Sequence, residues 1–342
     1  MSKIRFQDIA KTANVSPATV SRVIRNSGYV SQDKRDAVSQ AMLSLGYVPP
    51  EVVMPDVPAE SKVIGLLTQD ASVNMLFSRL ADSVNHVALA NNYNVIVINV
   101  AQNVSSMQIT SYINMLRNLN VSGIIFNALG DQLDVPAIRK YITNLPVPIV
   151  MIERTADIFG INKVLINARE GMFLAVHHLA QHGHKKIVFI NRDLPGHEVE
   201  MSRLSGFNYA CEALGCKDTS AIIPTDDYTM ATGYESIGAY INEHDCPTAI
   251  IGSDELLVGV RRCLHERSIR VPEDVSLIGL DDTLSRYNIP ALTSLTFPEL
   301  EIAENAVDII IKVATKKARP KTILLSPSLV ERGSVANVVD IV

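Results

Sequence analysis

The chain of 342 residues reads as a small all-α headpiece followed by an α/β body of two doubly wound parallel sheets. Three observations predict this. Apolar residues recur at helical spacing between Phe6 and Leu45, and beyond residue 61 short, nearly all-apolar runs alternate with helical stretches. The length also exceeds what one domain ordinarily needs.

Phe6, Ile9, Ala10 and Ala13 share one face of a first helix. The stretch "ANVS" breaks it. Ser16 is placed to cap a second helix, with Pro17 at its first position, where a missing N–H costs nothing. Val20, Val23 and Ile24 form that helix's buried stripe, and Ala18, Thr19, Ser21, Arg22 and Arg25 its outer face. Ser31 is placed to cap a third helix, with Ala37, Val38, Ala41, Met42 and Leu45 inward and Gly46 closing it. Two short helices joined by a tight turn and braced by a third describe a helix-turn-helix unit. The same pattern also describes a three-helix bundle with a solvated charged face. In the first reading Arg22 offers a planar fork for guanine N7 and O6 in the major groove. The hydroxyls of Ser16, Thr19 and Ser21, with Arg25 and Lys34, suit phosphate oxygens.

The charge is placed unevenly. Residues 1–50 hold seven Lys and Arg against three Asp, while the remaining 24 basic and 33 acidic residues leave nine net negatives. A basic headpiece on an acidic body brings the first segment to phosphate.

In the body, "KVIGLLT", "YNVIVINV", "SGIIFNA", "PIVMIE", "KIVFIN", "TAIIGS" and "DVSLIGLD" read as strands covered on both faces. Residues 80–91 and 171–182 are long enough for crossover helices. The strands fall into two halves, which predicts two lobes facing across a cleft, with ligands beyond the carboxyl ends of the strands. Polar groups stand there: Gln69 and Asp70, Asn127 and Glu153 in the first half, then Arg203, Tyr228, Ser253 with Asp254, and Asp281 with Asp282. Carboxylates, a guanidinium and an aromatic face suit a polyhydroxylated ligand. Each residue alone also reads as a loop cap or a bridge between lobes.

No P-loop, GxSxG, HExxH or GxGxxG occurs, and the paired carboxylates at 226–227 and 281–282 have no base, nucleophile or metal set beside them, so no enzyme and no cofactor are expected. "HH" at 177–178 and "HGH" at 182–184 read as the end of a helix at Gly183 rather than as a metal site, and the four cysteines match no zinc spacing. No apolar run approaches a membrane span, and the N-terminus has no signal core, so a cytoplasmic address without membrane contact is expected. The chain ends without heptads, so no tetramerising coiled coil is expected.

"DIAKTANVSPATVSRVI" and "YVSQDKRDAVSQAMLSLGYVP" closely resemble the signature of lactose/galactose-type (LacI/GalR) repressors. "SRLSGF" (202–207), "RSIRVPEDVSLIGLDD" (267–282), "PALTSLTFP" (290–298) and "LVERGSV" (329–335) extend the resemblance in order over nearly the whole chain. It implies a periplasmic-binding-protein-like two-lobed effector domain, a homodimer, and double-stranded operator DNA as partner. It implies operator choice by the two residues after the turn serine, here Pro17 and Ala18, neither of which has a polar group to read a base. Readout then falls to Arg22, with Ala18 against a thymine methyl, and Tyr29 stands where relatives place a further DNA contact. It also implies an inducer pocket lined by Asn127, Glu153, Arg203, Tyr228, Ser253 and Asp281, for a sugar or sugar derivative. A nucleobase or a phosphorylated sugar is also open, because the same scaffold accepts several ligand classes. Where the fourth strand more usually ends in Asp, Glu153 pushes its carboxylate further into the cleft.

The resemblance places a hinge helix after Tyr47 and Pro49, with a leucine that wedges into the minor groove. Asp56 stands at that position, and a carboxylate cannot unstack a base step. Pro55 lacks the N–H a helix needs and disfavours helix before it. The joint is expected to be an extended linker. The competing reading is a one-turn helix with Val53 or Met54 as substitute wedge. The expected organisation is therefore a headpiece over 1–49, a Pro-rich acidic hinge over 50–61, a two-lobed effector and dimerisation domain over 62–336 with crossovers near 160, 295 and 325, and a tail over 337–342. The function expected is sequence-specific, sugar-modulated regulation of a carbohydrate-use operon, most simply as a repressor. The rival is a sugar-sensing protein with weak or effector-dependent DNA binding.

Overall fold

The structure is a computed structural model that describes residues 4–24, 29–47, 62–69, 75–101, 104–127, 138, 141–142, 144–153, 161–193, 198–315 and 320–338. The chain forms two compact units, Met1–Val164 with Glu299–Ile323 and Leu165–Pro298 with Leu324–Val342.

The headpiece comprises α1 (Phe6–Thr12), α2 (Pro17–Ile24) and α3 (Gln32–Leu45). Asn14 makes the turn between α1 and α2 at φ 51°, a left-handed conformation that asparagine tolerates, and Val15 N donates to Ala10 O (3.0 Å). Ile9, Val20 and Val38, all fully buried, meet at the centre of the three helices. Gly46 closes α3 at φ 65°, its N–H donating to Leu43 O and Met42 O. One face of α3 went unseen in the apolar pattern. Leu43 is buried in the body's core with Ile109 and Ile113, and Asn144 Nδ2 donates to Gly46 O (3.0 Å). A stripe search for one buried face misses a helix that packs on two sides.

Among the described residues the first unit carries β1 (Val63–Gln69), α4 (Met75–Ala90), β2 (Asn94–Val100), α5 (Ser106–Asn118), β3 (Gly123–Asn127), β4 (Ile149–Ile152) and the start of β5 (Asn162–Ile166). The second carries α6 (Ala168–Gln181), β6 (Ile187–Arg192), α7 (Glu198–Ala213), β7 (Ala221–Thr225), α8 (Met230–Glu243), β8 (Ala249–Gly252), α9 (Asp254–Glu266), β9 (Ser276–Gly279) and β10 (Thr293–Thr296). The chain then returns to the first unit with α10 (Glu299–Thr315), crosses along β11 (Thr322–Leu325) and ends in the second with β12 (Ser328–Val330). Strand order is β11-β5-β4-β3-β1-β2 in one sheet and β12-β10-β9-β8-β6-β7 in the other. In both, the first strand of the unit is flanked by the second and the third, so winding reverses beside β1 and beside β6. A reversal of this kind opens a crevice at the strands' carboxyl ends.

The apolar runs follow from coverage on both faces. Along β6, Ile187 and Phe189 pack with α6 and α7 residues such as Met172 and Phe207, while Val188 and Ile190 pack with Ile237 of α8 and Val260 of α9. Each fully buried large apolar side chain contributes about 1.5–3 kcal/mol. β5, β7, β10, β11 and β12 lie outside the apolar runs that predict strands. β7 is an edge strand carrying Pro224, which an edge accommodates. β10, "TSLT", buries Thr293 and Ser294, and Thr293 N donates to Ser334 Oγ (2.8 Å). The sheets are not wholly parallel, because β12 pairs antiparallel with β10 as the tail folds back.

Two glycines set how closely α8 meets α9. A Cβ on Gly233 would collide with Leu256 O, and one on Gly259 with Met230 O. The backbones therefore touch, and this fixes the start of α9, which carries Asp254 and Glu255. Gly259→Ala is expected to lower stability by about 1–3 kcal/mol, since overpacking against backbone outweighs the gain of roughly 1 kcal/mol in helix propensity. Urea unfolding measures it, and an unchanged or raised midpoint would show that the helices separate freely.

Candidate nucleic-acid interface and effector site

On α2, Ser16, Pro17, Ala18 and Arg22 are exposed, and Thr19 and Ser21 are half-buried. Ser16 caps the helix: its Oγ accepts from Thr19 N (3.1 Å) and bonds Thr19 Oγ1 (2.9 Å). Ser16, Pro17, Thr19 and Lys34 line a shallow concavity together with Gln7, Lys11 and Asn14. Gln7 and Lys11 are absent from the sequence-derived set, because α1 was read only for its buried face. Arg22 stands apart from this concavity on the exposed side of α2. Tyr29 is 91% exposed. Ser31 occupies the N-cap position of α3, but its side chain makes no capping hydrogen bond. Arg25, the hinge residues Val53, Met54, Pro55 and Asp56, and the side chain of Gln69 lie outside the described residues.

In the first unit the polar groups gather where β1 and β3 end. Thr68 pairs in register with Asn127, and each is 1% exposed. Among the described residues, neither Thr68 Oγ1 nor either amide atom of Asn127 meets a hydrogen-bond partner. Each such group costs about 1–3 kcal/mol if left unsatisfied. Thr68 escaped sequence reasoning because it sits inside an apolar run. At the end of β4, Glu153 adopts φ 57°, left-handed for a residue with a Cβ, while its N–H donates to Val164 O (3.2 Å). Strain of this kind concentrates at functional sites.

In the second unit Arg203 of α7 donates to Asp281 Oδ1 at 3.0 Å, joining positions 78 residues apart. Burial pushes the Asp281 carboxyl upward despite the guanidinium. Glu255, at the start of α9, is pushed to about 7, first by burial, then by Asp281 and Asp254, with Arg203 opposing. Tyr228 Oη donates to Glu200 Oε1 (3.4 Å), and Glu200 lies on α7 one turn before Arg203. The result is a cluster rich in carboxylate oxygens with one guanidinium and one phenol. It accepts hydrogen bonds from several hydroxyls and donates from one fork. Glu200 and Glu255 were missed, since neither ends a strand.

Three predicted residues make contacts within the protein. Asp254 is fully buried, and its Oδ2 accepts from Leu284 N, Ser285 N and Ser285 Oγ, each at 2.8 Å, so it anchors the loop after β9. Ser253 caps α9, its Oγ accepting from Leu256 N (3.4 Å). Asp282, the neighbour of Asp281, turns the other way at φ 48° and pairs with Arg332 at 2.8 Å. His184 is a core residue whose Nε2 bonds Ala336 O (2.9 Å), and burial pulls its pKa down to about 4. Among the described residues no group of three or more His, Cys, Asp or Glu is arranged to hold a metal ion, and no helix is long and apolar enough to cross a membrane.

Residues 5–50 match the family described as bacterial regulatory proteins, lacI family, and residues 176–335 match the periplasmic binding protein-like domain. The HTH-type transcriptional repressor PurR of Escherichia coli O139:H28 is 30% identical over 338 residues, 97% of each chain. The Lac repressor dimer bound to operator and the anti-inducer ONPF superposes with a TM-score of 0.72 at 26% identity, covering 98% of this chain and 100% of that one. The CelR–cellobiose complex shares the fold, with a TM-score of 0.71 at 21% identity over 97% of this chain and all of that one.

The raised carboxyl of Glu255 has a measurable consequence. Its pKa climbs from 4.5 to about 7 on folding, so between those values the folded chain holds a proton that the unfolded chain has released. Stability therefore falls as pH rises through that window. Glu255→Gln is expected to flatten the fall, measured as urea-unfolding free energy across the window. An identical slope in the variant would assign the proton to another group.

Proposed function

The chain belongs to the lacI family of bacterial regulatory proteins, and on that premise we propose that it acts in the cytoplasm as a homodimer on a two-fold symmetric operator, answering to a sugar or sugar derivative. It is a DNA-binding transcriptional repressor modulated by a small-molecule effector. The observation that carries the DNA reading is the outer face of α2. Arg22 is exposed on a capped helix whose Val20 is buried and whose Val23 and Ile24 are half-buried, in a headpiece with seven basic residues against three acidic. The guanidinium reads guanine, the Ser16–Thr19 end and Lys34 meet phosphate, and two headpieces on a dimer address two half-sites.

The sugar reading rests on the Arg203–Asp281 pair with Glu255, Glu200 and Tyr228 around it. Vicinal hydroxyls donate to the carboxylates and accept from the guanidinium, and the phenol ring suits the apolar face of a pyranose or furanose. Within the first unit, Thr68, Asn127 and Glu153 offer polar groups of their own at the strand ends.

Selection of random duplexes on the purified protein is expected to recover a two-fold symmetric site. Arg22→Ala is expected to lose the preference at one base pair of each half-site, roughly 1–3 kcal/mol of discrimination, while keeping salt-dependent binding. Unchanged selectivity would remove Arg22 from readout, and failure to enrich any sequence would favour the sugar-sensing protein with weak DNA affinity. Arg203→Ala is expected to abolish the response of operator binding to the sugar while sparing operator affinity without it, read by titrating sugars and nucleobases against the retained complex. A full response in that variant would move the effector away from Asp281.

A further inference from the structure

Where the headpiece meets the body of the first unit lies a cavity of about 430 Å³, walled by Val23 and Ile24 of α2, Arg35, Ser39 and Met42 of α3, and Asn114 and Arg117 of α5, among others. None of the described residues assigned to DNA or effector lines it. Arg117 is 5% exposed, and among the described residues its Nε and Nη1 meet no hydrogen-bond partner. Two orphaned N–H groups on a buried guanidinium are costly, because those donors have left water without gaining an acceptor. Its neighbours offer no relief. Tyr141, fully buried, donates its hydroxyl to Asn114 Oδ1, and its pKa is pushed up to about 12, first by burial. Tyr47, also buried, is raised for the same first cause. Both phenols therefore stay neutral, and neither supplies the missing negative charge.

The rest of the wall favours an anion. Arg35 brings a second guanidinium, its Nε donating to Val30 O (3.2 Å). With Asn114 Oδ1 taken by Tyr141, the Asn114 NH2 is a further donor, and Ser111 adds a hydroxyl. Among the described lining residues the single carboxylate, Asp36, accepts from Gln32 Nε2 (2.8 Å). Two guanidiniums against one carboxylate leave net positive charge in a half-enclosed space.

We propose that this cavity is a second ligand site, specific for a small oxyanion, in which the Arg117 guanidinium on its wall binds a phosphate or carboxylate group. Bidentate capture of such a group is what the guanidinium fork does best. Because α2 and α3 form one wall and α5 the other, the occupant ties headpiece to body. A phosphate monoester and an organic carboxylate share the required chemistry.

The test is thermal unfolding of the full chain in rising inorganic phosphate, at ionic strength held constant with chloride. A saturable rise in Tm is expected for the unaltered protein and its loss in Arg117→Met, which keeps the bulk and removes the fork. Ser39→Glu places a carboxylate on the opposite wall, so it is expected to raise Tm without phosphate and to blunt the phosphate response, which keeps the test open if Arg117→Met fails to fold. Parallel titrations with acetate and glucose 6-phosphate identify the source: response to acetate indicates a carboxylate, and response to the two phosphates alone indicates a phosphate monoester. No saturable effect of any of these anions, an equal effect in Arg117→Met, or an effect lost in Arg22→Ala but kept in Arg117→Met would overturn the proposal, the last by placing the anion on the DNA face.

Discussion

Coverage of each parallel sheet on both faces is the constraint from which the rest follows. Residues 187–190 of β6 alternate between two separate apolar clusters, where a polar side chain would lose water without gaining a partner. Polar chemistry is thereby pushed to the strands' carboxyl ends, and the reversal of winding beside β1 and β6 concentrates it at equivalent places in the two units. Thr68 and Asn127 stand at that place in the first unit, while in the second the Arg203–Asp281 pair lies at the carboxyl end of β9, two strands from β6.

Three neighbouring aspartates show how context divides one residue type among roles. Asp254 is consumed by backbone and hydroxyl donors of the following loop, and Asp282 by Arg332. Only Asp281 is drawn toward Arg203, beside the carboxyl of Glu255. Burial raises the pKa of both Asp281 and Glu255, the latter to about 7, so donors brought by a ligand would favour their charged forms. The left-handed Asp282 is what turns the two adjacent carboxylates to opposite sides.

The headpiece has two interfaces of different character. α2 presents hydroxyls and Arg22 to solvent, as a phosphate-seeking surface requires. α3 buries Val38 and Met42 against α1 and α2, yet sends Leu43 into the body's core. A positively charged cavity therefore lies at the joint between a DNA-reading element and the domain that governs it.

The sequence alone was enough for much of this. Helical spacing located the three short helices, and Ser16 and Gly46 cap where the sequence places them, whereas Ser31 makes no capping hydrogen bond. Apolar runs located seven strands of the sheets, because a residue buried on both faces of a parallel sheet has little freedom to be anything else. Strand-end polarity marked Asn127, Glu153 and Asp281. Beyond that, local pattern carries no information. Edge and tail strands such as β7 and β12 are half-buried and read as loops. Glu255, Glu200, Thr68 and Arg117 belong to helices or runs whose local pattern is unremarkable, and their importance arises from what lies beside them. A guanidinium and a carboxylate 78 residues apart, or an arginine sealed beneath a headpiece that precedes it by some seventy positions, acquire their energies only when the chain has folded. Pair electrostatics depends on distance and dielectric, and both are set by tertiary structure.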